Sequence, residues 1–149
     1  MRAEERRHIP VVLSVEEVRR VIALMSGASQ LAVKLLYGSG SCDSEAVRLR
    51  VKDVDFEMKQ IVVRSGKGSK DRVTPFADSL ATGRREHLER VRETHRSDLE
   101  GGFGAVYLPG ALERRDPNAT KEWGWQCVFP AQGILTDPRS GKRRWHHID

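Results

Sequence analysis

A glycine-rich turn carries the first side chains that could act on a phosphate group. The segment SGKGSKDR, residues 65–72, places Lys67 and Lys70 on a tip that its two glycines allow to bend sharply. Arg64 and Arg72 flank this tip and add two cations. Such a fork could hold a phosphate or reach into a DNA groove. A solvated turn whose lysines maintain solubility is the simpler interpretation of the turn alone.

A second basic stretch, RSGKRRWHH at residues 139–147, mixes cations with Trp and His and contains no acid. Basic residues interleaved with aromatic ones are typical of surfaces that hold a nucleic-acid backbone and stack its bases. The cations predicted to contact DNA here are Arg139, Lys142, Arg143 and Arg144. A basic loop, or an amphipathic strand with Trp145 in the core, remains the alternative.

Two tryptophans in KEWGWQCVFP, residues 121–130, form a third candidate site. Trp123 and Trp125 are two positions apart, so they cannot share one helical face. We expect one of them to point outward unless a second layer covers it, and an outward Trp usually marks a contact. The alternative buries both side chains in a small subdomain.

Composition favours a single domain with an anionic partner. The chain has 149 residues, 38% hydrophobic and 32% charged, with a formal net charge of +5. The sequence pI is about 9.6. This balance suits nucleic acid, although many basic proteins bind nothing anionic.

Several classes of protein and site are not expected. No apolar run approaches the roughly 20 residues of a membrane helix, and the N-terminus lacks the apolar segment of a secretion signal. We therefore expect a cytoplasmic protein with no membrane contact. Cys42 and Cys127 match no metal-ligand spacing and are predicted to be reduced thiols. We expect no metal and no cofactor.

The N-terminal elements that must position these residues are mostly helical. Residues 1–13 form an arm or linker, and residues 14–149 the domain. A helix follows Ser14, which can form a capping box with Glu17. Its apolar stripe is Val18, Val21, Ile22 and Met25.

Two further helices are predicted before residue 51. The second has Leu31, Leu35 and Leu36 facing inward and Gly38 at its end. The third is short, from about Asp43 to Arg50, with Asp43 or Ser44 as its N-cap.

The later elements mix a hairpin with one long helix. QIVVR and RVTPF are β-branched segments on either side of the glycine-rich turn, and an edge strand near Val54–Phe56 extends them. A long helix is expected from Asp78 to about Leu99, with Leu80, Leu88 and Val91 inside. In residues 103–149 we predict only short helices, near Ala111–Arg115 and Thr120–Val128. The fold class is α+β and mainly helical, with helices around a small antiparallel sheet.

The segment LLYGSGSCDSEAVRLRVKDVDFEMKQIVVRSGKGSKDRVTPF, residues 35–76, resembles the first part of a tyrosine recombinase catalytic domain. That family shows a small-residue turn, an Arg, Ser-Glu, L-x-x-x-D-x-D and a hairpin with GKG-x-K-x-R. The stretch LPGALERRDPNATKEWGWQCVFPAQGILTDPRSGKRRWHHID resembles the insertion of integron integrases, here about residues 103–149. The resemblance covers the chain from about residue 9 onward.

The resemblance implies DNA cleavage by a tyrosine without a metal. It assigns Lys67 as the lysine that protonates the leaving oxygen and Glu45 as the acid that helps orient the site. Cys42 stands where the first catalytic arginine is expected, and a thiol lacks the fork of donors that clamps a phosphoryl oxygen. The family's His-x-x-Arg box has no counterpart in this sequence. Its nucleophilic tyrosine has none either, because Tyr37 and Tyr107 lie in other contexts. The chain is therefore expected to be an inactive N-terminal part of a catalytic domain.

The resemblance also implies a role for the insertion. Integron integrases recognise folded single-stranded cassette sites through extrahelical bases, which an aromatic residue and a Pro-and-His surface receive. Trp125, Pro138, His146 and His147 occupy the matching positions. The family forms tetramers on DNA, which we do not expect of this chain alone. The alternatives are a non-catalytic DNA- or protein-binding module descended from a recombinase, and a decayed gene fragment.

Overall fold

Three helices begin the fold. A computed structural model describes residues 11–64, 70–109, 111–138 and 141–148. The helices are α1 (Val15–Ala23), α2 (Gly27–Ser39) and α3 (Asp43–Val47). The predicted capping box of α1 is confirmed, since Ser14 Oγ accepts from the Glu17 N–H at 3.3 Å and Glu17 Oε2 accepts from the Ser14 N–H at 2.7 Å. No residue of α1 is buried, so its predicted apolar stripe is only partly covered.

The end of α2 differs from the prediction by two residues. Leu31 and Leu35 face the core as expected, and Leu36 is half-buried. The helix passes through Gly38 to Ser39, and its C-cap is Gly40, which adopts φ +63° and donates its N–H to Leu36 O at 3.0 Å. Gly40 rather than Gly38 ends the helix because only glycine adopts this left-handed conformation without steric cost.

The beginning and the end of α3 also correct the prediction. Cys42 takes the N-cap position that was expected for Asp43 or Ser44, and the helix ends at Val47 instead of Arg50. The Cys42 carbonyl accepts from the N–H groups of Glu45 and Ala46, both at 3.1 Å. The helix therefore starts one residue earlier than the polar side chains alone suggest.

A three-stranded antiparallel sheet follows, as predicted. Its strands are β1 (Val54–Asp55), β2 (Gln60–Val63) and β3 (Arg72–Pro75), in the order β1-β2-β3. Ile61 pairs with Thr74 and Val63 with Arg72. Ile61 and Val63 face the core. The turn at residues 65–69 lies outside the described residues.

The long helix is confirmed as α4 (Ala81–Glu100), preceded by a 3-10 turn at Asp78–Leu80. Leu80 and Leu88 are buried as predicted, and Val91 is half-buried. The same helix also buries three ionisable side chains that the apolar pattern did not predict: Arg84, His87 and His95.

The C-terminal region contains short elements only. They are α5 (Leu112–Arg115), 3-10 helices at Pro117–Lys121 and Trp123–Trp125, and the paired strands β4 (Leu135–Thr136) and β5 (Arg143–Arg144). The short helix near residue 112 is confirmed. The helix expected at Thr120–Val128 is wrong: Glu122 and Gln126 adopt extended backbone angles, so each turn stops after a few residues.

Two apolar clusters hold these elements together. The larger joins α2, α3, the sheet and α4 to Val128 and Phe129. The smaller is built on Val106, Leu108 and Ala119. A backbone hydrogen bond connects the C-terminal region to the segment after α3: the Val128 N–H donates to Leu49 O at 2.9 Å. The fold is thus mainly helical with small antiparallel sheets, as the sequence predicted. In the described ranges, no helix is long and apolar enough to span a membrane.

Candidate nucleic-acid interface

The predicted catalytic acid is held by an arginine from the sheet. Arg72 Nη1 donates to Glu45 Oε1 and Arg72 Nη2 to Glu45 Oε2, both at 2.6 Å. These two charge-assisted bonds lower the pKa of Glu45 to about 2, and a bond from the Cys42 N–H acts in the same direction. Arg72, predicted to contact DNA, thus directs its guanidinium toward Glu45.

Cys42 occupies the position of the expected arginine at the start of α3. Its N–H donates to Glu45 Oε2 at 2.9 Å, and its exposed thiol lies 3.2 Å from Ser44 Oγ. A thiol offers one weak donor, whereas a guanidinium offers five in a fixed fork. The geometry at residue 42 therefore provides no clamp for a phosphoryl oxygen.

The hairpin cations have different surroundings. Arg64 Nε donates to Asp53 Oδ1 at 2.7 Å, and this bond raises the pKa of Arg64. The Arg64 side chain is still 52% exposed, so part of it faces solvent. Lys70 is exposed beside the turn. Lys67, the predicted catalytic lysine, lies outside the described residues.

Trp125 carries a cation on its ring. Lys52 Nζ lies 2.9 Å from the ring centroid of Trp125, which is half-buried against the smaller apolar cluster. Arg50 Nη1 donates to Trp125 O at 3.1 Å and so fixes the backbone of that residue. Trp123 instead packs against the larger cluster, so the two tryptophans do face different ways, and both are half-buried.

The basic residues near the second sheet divide into exposed and buried ones. Arg143 is exposed, with its Cζ 5.3 Å from the ring centroid of Phe103. Lys142 is exposed and its Nζ lies 3.5 Å from Glu113 Oε1. Pro138 is exposed, and His146 and His147 are half-buried. Arg139 lies outside the described residues.

Arg144 differs from its neighbours because its side chain is only 4% exposed. Its guanidinium forms two bonds of 2.7 Å to Glu113, and its Nε lies 3.9 Å from Asp137 Oδ2. These carboxylates raise the pKa of Arg144. The structure places this predicted DNA contact inside the protein, where it holds β5 to α5. Trp145, beside it, donates its Nε1–H to Asp98 Oδ2 at 2.6 Å.

Two residues of the candidate interface were not singled out from the sequence. Arg50 and Lys52 both contact the Trp125 region, yet they lie about 75 residues earlier in the chain. Their only local signal was the basic pattern of LRVKD. Within the described part of the chain, no group of three or more His, Cys, Asp or Glu side chains is placed to hold a metal.

Comparison with known proteins assigns the family. The phage integrase family profile matches residues 12–109. An integrase/recombinase of Escherichia coli is 46% identical over 142 residues, which cover 95% of this chain and 42% of that protein. Tyrosine recombinase XerA of Thermococcus onnurineus is 41% identical over 86 residues, 56% of this chain and 30% of its own.

A solved structure is also similar. The crystal structure of XerA recombinase matches with a TM-score of 0.49 and 32% identity, covering 60% of this chain and 32% of that one. The chain spans less than half the length of these relatives. The profile match over residues 12–109 and the identity over 142 residues place the chain in the phage integrase family, the family of the tyrosine recombinases.

Proposed function

We propose that this chain is the DNA-binding part of an integron-type integrase, and that it contacts folded cassette-site DNA without cleaving it. The observation that carries the proposal is the pairing of cations with aromatic rings in the insertion-like region. Lys52 lies over Trp125, and Arg143 lies beside the half-exposed ring of Phe103. A ring that can stack a base next to a cation that can meet a phosphate is what single-stranded recognition needs.

The expected lack of cleavage follows from the geometry at residue 42. Transition-state charge on the phosphoryl oxygens requires cationic donors, and Cys42 supplies none. Loss of one such arginine costs roughly 10³–10⁵ in rate, by analogy with arginine fingers. Tyr37 and Tyr107 are the only tyrosines of the chain, and neither matches the family nucleophile. A suicide DNA substrate should therefore trap no covalent adduct with this chain, and an adduct on a denaturing gel would overturn the assignment.

A second candidate is a module descended from a recombinase that only binds DNA or protein. The Glu45–Arg72 ion pair favours it, because Arg72 is directed at Glu45 instead of at a substrate phosphate. The two candidates differ in their ligand. The first requires a hairpin with an extrahelical base, whereas the second requires no such feature.

Binding to paired DNA hairpins separates these candidates. One hairpin carries an extrahelical base and the other has the same stem without it. The parent chain should prefer the first, and Trp125→Ala should remove that preference while retaining the circular dichroism spectrum. Trp125→Phe is the matched control, because it keeps an aromatic face and should keep most of the preference. Equal binding of both hairpins by the parent would reject the integron assignment.

The β2–β3 hairpin provides an independent test of DNA binding. Removing one cation that neutralises a phosphate lowers the slope of log affinity against log salt by about 0.9 on duplex DNA. Lys67→Ala/Lys70→Ala should therefore reduce this slope by up to about 1.8. The control is Arg19→Ala/Arg20→Ala on exposed α1, which removes the same charge and should leave the slope unchanged. An unchanged slope in the lysine variant would mean that the turn is only a solvated loop.

A further inference from the structure

We propose that Lys52 is a specificity-determining residue: in the free protein its ammonium covers the face of Trp125 that an extrahelical base would stack on, and base entry transfers the ammonium to a DNA phosphate. This inference rests on the proposed function, and it concerns a residue that the family resemblance does not assign to DNA. Lys52 would thus cover the ring of Trp125 in the free protein and bind a phosphate in the DNA complex.

One side-chain and one backbone hydrogen bond hold the segments of Lys52 and Trp125 together. Arg50, two residues before Lys52, donates its Nη1–H to Trp125 O at 3.1 Å. The Val51 N–H donates to Gln126 O at 3.0 Å. The residues before Lys52 are thus bonded to the carbonyls of Trp125 and of Gln126, and these two hydrogen bonds bring the side chains of Lys52 and Trp125 together.

The lysine stem passes beside Gly124. A Cβ added at Gly124 would lie 3.4 Å from Lys52 Cβ, at ordinary van der Waals contact. The stem therefore passes close to the backbone next to Trp125, and the ammonium reaches the ring at 2.9 Å from its centroid. A base plane and an ammonium cannot occupy the same position on one ring face.

The charge of the Lys52 ammonium explains why it would move from the ring of Trp125 to a DNA phosphate. Burial lowers the pKa of Lys52, because the ammonium loses water where it rests on the ring. The neighbouring Asp53 is bound to Arg64 at 2.7 Å. Among the described contacts, Lys52 has no ion pair of its own. A phosphate next to an inserted base would give the displaced ammonium the anion that the ring provides only weakly.

Salt dependence distinguishes this exchange from a lysine that stays in place. With the hairpin lacking an extrahelical base, Lys52 remains on Trp125 and meets no phosphate. With the extrahelical base, its ammonium neutralises a phosphate. The parent should therefore show a steeper salt slope on the second hairpin, by roughly 0.7–0.9 for one added phosphate. Lys52→Met should give equal slopes on both hairpins and weaken low-salt binding only to the hairpin with the extrahelical base.

Control variants separate the charge of Lys52 from its packing. Methionine keeps the length of the side chain and packs favourably on an aromatic ring, so the fold of Lys52→Met should be retained by circular dichroism. Lys121→Met, which changes an exposed lysine four residues from Trp125, should leave the slope difference as in the parent. Lys52→Arg retains a cation and should also keep the difference.

The outcomes distinguish a failure of this inference from a failure of the proposed function. If the parent fails to prefer the hairpin with the extrahelical base, or if Trp125→Ala keeps the preference, the proposed function fails and this inference fails with it. If Trp125→Ala removes the preference but Lys52→Met keeps the parent slope difference, the proposed function stands and the role of Lys52 is wrong. Equal slopes for the parent on both hairpins, despite a preference, would also overturn the exchange.

Discussion

Arg72 and Glu45 form an ion pair with two parallel hydrogen bonds, each of 2.6 Å, that joins β3 to the start of α3. The carboxylate side chain is 7% exposed and the guanidinium side chain 38%. Water therefore screens the arginine side of the pair, and its contribution to stability is smaller than that of a fully buried pair. The pair nevertheless fixes the turn that carries Cys42.

Acid should weaken the ion pair between Glu45 and Arg72. The pKa of Glu45 is lowered from 4.5 to about 2 in the folded chain, so its stabilising effect is complete above pH 4.5 and is lost as the pH falls toward 2. We expect the unfolding free energy of Arg72→Gln to fall less steeply than that of the parent across this window, measured by urea denaturation. Arg72→Lys keeps the charge without the fork and should lie between them. Parallel curves for all three proteins would contradict the pair.

Arg84 should reduce the stability of this chain. Its side chain is 1% exposed, its Cζ lies 4.0 Å from the ring centroid of Phe76, and its three nitrogens have no hydrogen-bond partner among the described residues. Burial lowers the pKa of Arg84 to about 10, so the group is still charged at neutral pH. Replacing a buried ion pair by apolar side chains of similar volume can stabilise by about 1–4 kcal/mol, and Arg84 has, in the described part of the chain, no carboxylate to offset its desolvation. We therefore expect a gain of that order for Arg84→Met in urea denaturation.

The adjacent arginine provides the control for this substitution. Arg85 is exposed, and its Cζ lies 5.2 Å from the ring centroid of Phe56. Arg85→Met should change the unfolding free energy by no more than about 0.5 kcal/mol. A loss of stability in Arg84→Met would show that the guanidinium has a partner that the described contacts do not include.

Two buried histidines should make the packing of the C-terminal region against α4 dependent on pH. His87 Nε2–H donates to Val128 O at 2.6 Å and His95 Nε2–H to Lys121 O at 3.0 Å, because a carbonyl can only accept. Burial lowers the pKa of both rings, against the effect of these bonds. Their folded pKa values lie below the ordinary 6.5, so their contribution to stability is complete above that pH and is lost as the pH falls.

Unfolding free energies between about pH 8 and pH 5 test this coupling. The parent should lose stability below pH 6.5, the ordinary pKa of the ring, and His87→Gln/His95→Gln should lose less over the same range. Each single variant should fall between them, since the two rings lie about two turns apart on α4 and do not share a partner. A parent curve without a slope below the ordinary histidine pKa, or an equal slope in the double variant, would exclude the histidines.

Local signals in the sequence predicted most of the elements and few of the contacts. The Ser14–Glu17 box, the β-branched pair around the glycine-rich turn and the period of α4 depend on neighbours within a few residues, and each was confirmed. The helix expected near residue 124 failed because extended residues interrupt a segment whose composition is compatible with a helix.

The site was harder to predict because its partners are distant in sequence. Arg144 meets Glu113 from 31 residues away, and Lys52 covers the ring of Trp125, which follows much later in the chain. Composition alone makes the basic residues near residue 143 equivalent. Only the packing of β5 distinguishes the buried one from the exposed ones.

Arg143 and Arg144 are neighbours in β5 and should respond to substitution in opposite ways. Arg144 is 4% exposed and faces Glu113 and Asp137. Arg144→Met removes the cation from two carboxylates, one of them 5% exposed, and should cost about 3–5 kcal/mol of unfolding free energy. Arg143 is exposed beside Phe103, so Arg143→Ala should change stability by no more than about 0.5 kcal/mol.

In DNA binding, Arg143→Ala should have the larger effect and Arg144→Met the smaller one, the reverse of their effects on stability. Arg143→Ala should lower the slope of log affinity against log salt by about 0.9 on duplex DNA, because an exposed cation next to a ring can neutralise one phosphate. Arg144→Met should leave that slope unchanged at temperatures where the variant is still folded, since its guanidinium points at carboxylates of the protein. The salt slope and the unfolding free energy of each variant are therefore measured together and compared with those of the parent. A lower slope for Arg144→Met with unaltered stability would mean that this arginine leaves Glu113 and binds DNA directly.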